Sequence, residues 1–175
     1  ENCSGFSTAS TSFVPALVAR ANVPFRIRFR GVEPATGGAV PSPVGLRAPA
    51  YASSMGRAML ARLSDDEVTQ LVGSRLEVRR GTAPRTRKDL LARLDLARSQ
   101  GWAVPSEEIA PTVAGISAAV VDAGHRKIYG IGIGMPAHDM SDELMQRLGR
   151  RVRDAAMKVG KQIGDGYWLE FSASA

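Results

Sequence analysis

Cysteine is nearly absent. The single residue, Cys3, cannot close an internal disulfide, and with only His125 and His138 beside it no Cys/His zinc pattern can be assembled. That usage fits a reducing, cytoplasmic setting. Long apolar runs are missing as well: the best, such as Ile116 to Val121, are strand-length against the ~18 consecutive residues a membrane span needs. A transmembrane protein is therefore not expected. The start Glu1-Asn2-Cys3-Ser4 has neither a basic nor an apolar signal-peptide region, and no initiator methionine. We expect a processed chain or a fragment, with further sequence upstream. Also missing are G-x-S-x-G, H-E-x-x-H and a phosphate loop ending in Gly-Lys-Ser/Thr. Those gaps argue against the common hydrolase, zinc-protease and nucleotide-triphosphatase plans.

What remains is an ordinary globular composition. Across 175 residues, 44% are hydrophobic and 23% charged, enough for a real core in one domain, residues 1–175. The net charge is +6, but only Arg75 to Lys88 is dense in cations, and it offers no aromatic residue to stack on bases. A solvated loop is the default for that stretch.

The chain opens on strand-forming residues. Phe6 to Thr11, Phe13 to Ala21 and Phe25 to Arg30 read as strands, the last alternating Phe25, Ile27 and Phe29 with Arg26, Arg28 and Arg30. From Gly31 to Pro49, four prolines and four glycines break any ladder and mark a long loop, a candidate lid or contact surface. A helix then begins at Ser53 or Ser54, with Ala58, Met59 and Leu63 on one stripe. The capping box Ser64-Asp65-Asp66-Glu67 opens a second helix ending near Gly73, and a third runs from about Lys88 to Gln100 before Gly101. Gly115 to Asp122 and Lys127 to Gly134 form a hairpin around a glycine-containing turn. Asp139 to Ser141 caps a last helix whose Leu144, Leu148, Val152, Ala155, Val159 and Ile163 line up as an apolar stripe. Without strict βαβ alternation the order predicts an α+β fold with a mainly antiparallel sheet.

Two places invite a ligand. Gly130, Gly132 and Gly134 lie within a strand, not at a strand-to-helix turn, which excludes a dinucleotide fingerprint. Strand alternation instead puts all three on one face, with Tyr129, Ile131 and Ile133 on the other. The missing side chains leave either a groove for close packing or a hollow for a ligand. The turn Tyr51 to Gly56 brings helix-start amides and two hydroxyls to its surroundings, suited to a carboxylate or phosphate or simply to capping. Catalysis has little to work with. Cys3 is terminal, His125 sits in a turn, His138 sits in a loop, and the adjacent Glu107 and Glu108 would face opposite ways on a strand. We expect no enzyme, cofactor or metal site.

With those residues in view, the chain resembles the effector-binding domain of the IclR family of bacterial transcriptional regulators. The segment Pro49-Ala-Tyr-Ala-Ser-Ser-Met-Gly-Arg-Ala-Met-Leu-Ala-Arg-Leu-Ser-Asp-Asp-Glu67 is similar to the family's P-x-[HY]-A-[ST]-x-x-G-[KR]-x-[LF]-L-A block. Arg85-Thr-Arg-Lys-Asp-Leu90, Gly101-Trp-Ala-Val104 with Glu107-Glu108, Ile116 to Asp122 and the closing helix follow in the family's order, so the likeness runs from Phe25 to Ile163. It implies a GAF-like sheet flanked by helices, a pocket for a small organic acid effector, and homodimers or homotetramers. DNA would be read by an N-terminal winged helix-turn-helix that these residues do not contain.

The family's pocket positions fall on Ser54 and Met55, on Pro105 where the family has an acid, and on Gly115, Gly132 and Gly134 where it has small polar residues. The resemblance thus implies a roomier, less polar pocket, with an effector carboxylate at Ser53 to Met55. The wording from Ala50 to Arg57 is similar to a branch that controls aromatic-acid catabolism, which suggests an aromatic carboxylate. A free-standing GAF-like module with no DNA role is the alternative. Gly132→Leu is expected to fill the pocket and leave the domain folded.

Overall fold

The last two strands set the frame. In the computed structural model, which describes residues 16–22, 26–31, 47–72, 76, 83–104, 113–124 and 127–173, β4 (Val113–Asp122) and β5 (Lys127–Pro136) pair antiparallel over ten positions. Their register puts Ile116, Ala118 and Val120 opposite Ile133, Ile131 and Tyr129. On the other face Gly115, Ser117 and Ala119 oppose Gly134, Gly132 and Gly130. One face is bulky and the other is made of small residues. The expected glycine face is therefore present.

Three more strands extend the sheet from β5. They are β1 (Ala16–Asn22), β2 (Arg26–Gly31) and β3 (Arg47–Pro49), and the order is β3-β2-β1-β5-β4 with antiparallel pairing throughout. Two of the expected strands thus exist with slightly shifted ends, while the one at Phe6 to Thr11 lies outside the described residues. The loop expected up to Pro49 is corrected at its end, where Arg47–Pro49 pairs with Arg26–Arg28. Proline is tolerated there because it closes a strand whose outer side has no ladder partner among the described residues. The rest of that loop, 32–46, lies outside the described residues.

Over the small-residue face lie three helices. A 3-10 turn at Ala50–Ala52 leads into α1 (Ser54–Leu60), followed by α2 (Asp65–Val72) and α3 (Arg87–Gln100). Each start carries the cap its residues promise: Ser53 Oγ accepts from Gly56 N, and Thr86 Oγ1 accepts from Asp89 N. Ser64 and Glu67 form the reciprocal capping box. Gly101 ends α3 with φ 82°, in the left-handed region that favours glycine. Met55, Ala58 and Met59 pack on Ala97, Ala103 and Ala119, and Tyr51, Leu60 and Val68 pack on Leu90 and Leu94.

The bulky face is covered by α4 (Asp142–Ile163). Here the expected stripe needs correction. Val152 is buried, but Ala155, Val159 and Ile163 are exposed, and the buried line is Gly149, Val152, Ala156 and Gly160. Two tryptophans explain the rotation. A Cβ on Gly149 would lie 2.3 Å from Trp102 Cε2, and one on Gly160 would lie 2.2 Å from Trp168 Cδ1, so each indole lies directly on helix backbone.

A further helix, α5 (Gly166–Ala173), has no counterpart in the sequence reading. It covers the free edge of β4, an outer strand. Trp168 Nε1 donates to Ala119 O at 2.9 Å, Val121 N donates to Asp165 Oδ2 at 2.7 Å, and Ala103 N donates to Ser117 O at 2.7 Å.

Candidate functional site

The start of α1 sits on the small-residue face of the hairpin. Proline and the 3-10 turn at 49–52 force the chain to re-enter at Ser53, whose extended backbone lets its hydroxyl cap the helix. Ser53 and Ser54 are both buried, as is Met55. Ser54 Oγ lies 3.2 Å from Ser117 Oγ, so two hydroxyls 63 residues apart meet between helix and sheet. A Cβ on Gly115 would come within 2.9 Å of that same Ser54 oxygen. Met55 lies over Gly130, where a Cβ would be 2.5 Å from its Cγ. Part of the volume left by the glycines therefore serves close approach of α1.

Gly132 is the register partner of Ser117, and a Cβ there would lie 2.3 Å from Ser117 Oγ and 2.7 Å from the Ile116 carbonyl oxygen. A hydroxyl can turn away, but the carbonyl is fixed by the ladder. The expectation that Gly132→Leu leaves a folded domain is therefore corrected: the first carbon already collides with backbone. Gly134 pairs with Gly115 at the next small-residue position along the same face.

One charge is buried beside this turn. Arg57, fully buried one turn into α1, donates from Nη1 to Tyr51 O at 3.1 Å and from Nη2 to Val104 O at 3.3 Å. It ties the 3-10 turn to the segment after Trp102. Neither Arg57 nor Ser117 was singled out from sequence. Ser117 carried a usable signal, since the hairpin register alone places it across from Gly132.

The structure brings together Ser53, Ser54, Met55, Gly115, Gly132 and Gly134, while Pro105 lies outside the described residues, as do Glu107, Glu108 and His125. His138, expected in a loop, lies in a 3-10 turn at Ala137–Asp139 and pairs with Asp139 at 3.2 Å on the surface. Among the described residues no three His, Cys, Asp or Glu side chains converge on one point. A cavity of about 10 Å³, room for one water, lies instead among Ala58, Ala97, Trp102, Tyr167 and Trp168.

A second polar cluster holds α5 in place. Arg62 Nη2 donates to Asp165 Oδ1 at 2.5 Å while its guanidinium stacks 3.8 Å from the Tyr167 ring centroid. Burial pushes the Arg62 pKa down, against the opposing pull of Asp165. Burial pushes the Tyr167 pKa up, and its hydroxyl donates to Arg98 O at 2.7 Å.

A five-stranded antiparallel sheet with helices on both faces, and a serine-bearing helix start set against one of them, is an α+β domain of the GAF-like plan. A family model described as "Bacterial transcriptional regulator IclR C-terminal" matches residues 30–161. The chain belongs to that family. Among curated relatives, the HTH-type transcriptional repressor AllR of Salmonella typhimurium is 32% identical over 126 residues, covering 70% of this chain and 46% of the relative. The chain thus spans about half the length of the curated relatives it matches. The crystal structure of Thermotoga maritima IclR superposes with a TM-score of 0.76 at 17% identity, over 87% of this chain and 62% of that one. A double mutant of the PobR transcription factor inducer-binding domain from Acinetobacter, in complex with 3-hydroxybenzoic acid, gives 0.71 at 17% identity over 84% and 87%.

Proposed function

We propose that this chain senses a small organic carboxylate, with an aromatic acid as the favoured class, for a transcriptional regulator that binds DNA through an upstream helix-turn-helix domain. The observation that carries the ligand site is the buried Ser54–Ser117 hydroxyl pair, held where α1 begins, beside Gly115 and Gly132. Hydroxyls and helix-start amides favour an anion there, and a ring beside it would have to displace Ser54, Met55 or Ser117, which occupy the volume the glycines leave. The PobR domain, which shares the fold, is described with an aromatic acid bound. The effector would act by differential affinity for two arrangements of the attached DNA-binding domains. The exposed Val159, Ile163 and Leu169 fit a regulator that works as a homodimer or homotetramer.

Calorimetric titration with carboxylates graded in size from pyruvate to hydroxybenzoates tests this. We expect saturable binding that favours the aromatic acids and weakens when the carboxylate is replaced by an amide. Ser54→Ala and Ser117→Ala should each weaken it about tenfold or more, the worth of one hydrogen bond to a charged group, whereas Ser99→Ala on α3 should not. If no acid binds to the folded domain, the carboxylate reading is wrong.

A further inference from the structure

The outer face of α4 carries a charge pattern that packing does not explain. At 3.6 residues per turn, Arg147, Arg150, Arg151, Lys158 and Lys161 fall within an arc of roughly 100°, opposite the buried Gly149, Val152, Ala156 and Gly160. All five are exposed. None pairs with a carboxylate among the described residues, and of the two acids inside the arc Asp154 is engaged by Arg153 at 3.0 Å while Glu143 precedes all five cations. Asp142 and Glu143 both lie in the helix's first turn. Complementing the helix dipole accounts for cations in the last turn only. Arg147, Arg150 and Arg151 lie in mid-helix, where the dipole gives them no role.

We infer that this face contacts the phosphate backbone of duplex DNA without reading its sequence. The five cations run over about 21 Å of helix, against a duplex that carries one negative charge per ~1.7 Å of its axis. No aromatic or large apolar residue lies within the arc; Val159 and Ile163 lie to one side of it. Protein interfaces centre on such anchors and exclude charge, whereas phosphate-tracking surfaces are built from Arg and Lys. The choice of DNA over another polyanion rests on the regulator reading above, in which an attached domain holds a duplex close by. Contacts of this kind add affinity and leave operator choice to the attached domain.

Fluorescence anisotropy of a labelled 30-base-pair duplex of arbitrary sequence, titrated with this chain between 25 and 200 mM KCl, tests the inference. Binding should be weak and strongly salt-dependent. The slope of log K against log[KCl] should be about −0.9 for each phosphate engaged, hence no steeper than about −4.5 for five. Arg147→Gln/Arg151→Gln/Lys158→Gln should flatten that slope by about 2–3 and weaken binding about tenfold or more at 50 mM KCl. A second variant, Arg150→Gln/Lys161→Gln, should flatten it by about 2. The charge-matched control Arg85→Gln/Lys88→Gln/Lys127→Gln should change it far less.

Three results would overturn the inference: no anisotropy change at 25 mM KCl, equal losses in the control and the α4 variants, or competition by poly-glutamate as strong as by unlabelled DNA. The last would mark an acidic protein as the occupant. No carboxylate effector enters this assay, so its failure and the failure of the sensor reading are separately visible.

Discussion

Gly149→Ala offers a test of how α4 is seated. In an exposed helix this change stabilises by up to about 1 kcal/mol, because alanine has less backbone freedom to lose. At Gly149 the new methyl would lie 2.3, 2.5 and 2.6 Å from three carbons of the Trp102 indole. Ordinary contacts between carbons begin near 3.5 Å, so the ring would have to retreat by roughly 1 Å. Trp102 is only 2% exposed and is packed among Ile116, Ala118 and Val152, which leaves it nowhere to retreat. Overpacking of this kind costs about 1–3 kcal/mol, more than the propensity gain returns. We expect a net loss of about 1–2 kcal/mol, or a melting temperature lower by roughly 2–8 °C for a domain of this size. Urea unfolding followed by tryptophan fluorescence reports it directly, since Trp102 and Trp168 are the two tryptophans of the chain. The midpoint should fall with the slope unchanged. The same substitution at Gly166, where nothing lies within 4 Å of the added carbon, should stabilise by about 0.4–1 kcal/mol. A Gly149→Ala variant as stable as Gly166→Ala would refute the seating of Trp102 on the helix backbone.

Other expectations concern the polar groups. Asp165→Ala strands a buried guanidinium and the Val121 amide, and should cost about 3–5 kcal/mol in the same unfolding assay; a loss below about 1 kcal/mol would show that the Arg62–Asp165 pair does not hold α5. Glu67 accepts from both the amide and the hydroxyl of Ser64, which holds its carboxyl below the ordinary range. Its contribution to α2 is therefore present above the unfolded carboxyl pKa and lost as pH falls through the lowered folded value. Carboxyl-carbon NMR should show Glu67 titrating below the ordinary carboxyl range, and Ser64→Ala should abolish that depression. Tyr167 runs the other way: its raised pKa makes the neutral ring the stabilising form, so stability should fall as pH climbs above the ordinary tyrosine range. Tyr167→Phe should remove that alkaline slope.

The parts of the fold that were legible in sequence are those where side-chain spacing speaks directly. Ser53, Ser64 and Gly101 announced helix ends because capping depends on one residue type at one place. The hairpin was readable down to its two faces because strand alternation puts the half-buried Ile131 and Ile133 on one face and Gly130, Gly132 and Gly134 on the other. The phase of α4 was misread for a physical reason. A search for large apolar residues picks Val159 and Ile163, whereas the buried line runs through two glycines, and the bulk that fills the space comes from Trp102 and Trp168 elsewhere in the chain. The eight residues of α5 were missed because its fixings, Asp165 to Val121 and Trp168 to Ala119, are long-range and leave no local period. At the site, both serines of α1 stood out from their turn, but Ser117 acquires its meaning only across the sheet from Gly132 and under Ser54.

The fixings along β4 also bear on how this molecule avoids strand-to-strand aggregation in a crowded solution. An outer strand with free amides and carbonyls is a template for recruiting a strand from another chain, the first step toward aggregates. Here an indole, a carboxylate and the Ala103 amide answer those groups one after another along Ser117, Ala119 and Val121. A chain ending at Gly164 would lose the indole and the carboxylate from that edge together with their packing, so it would be both less stable and readier to precipitate.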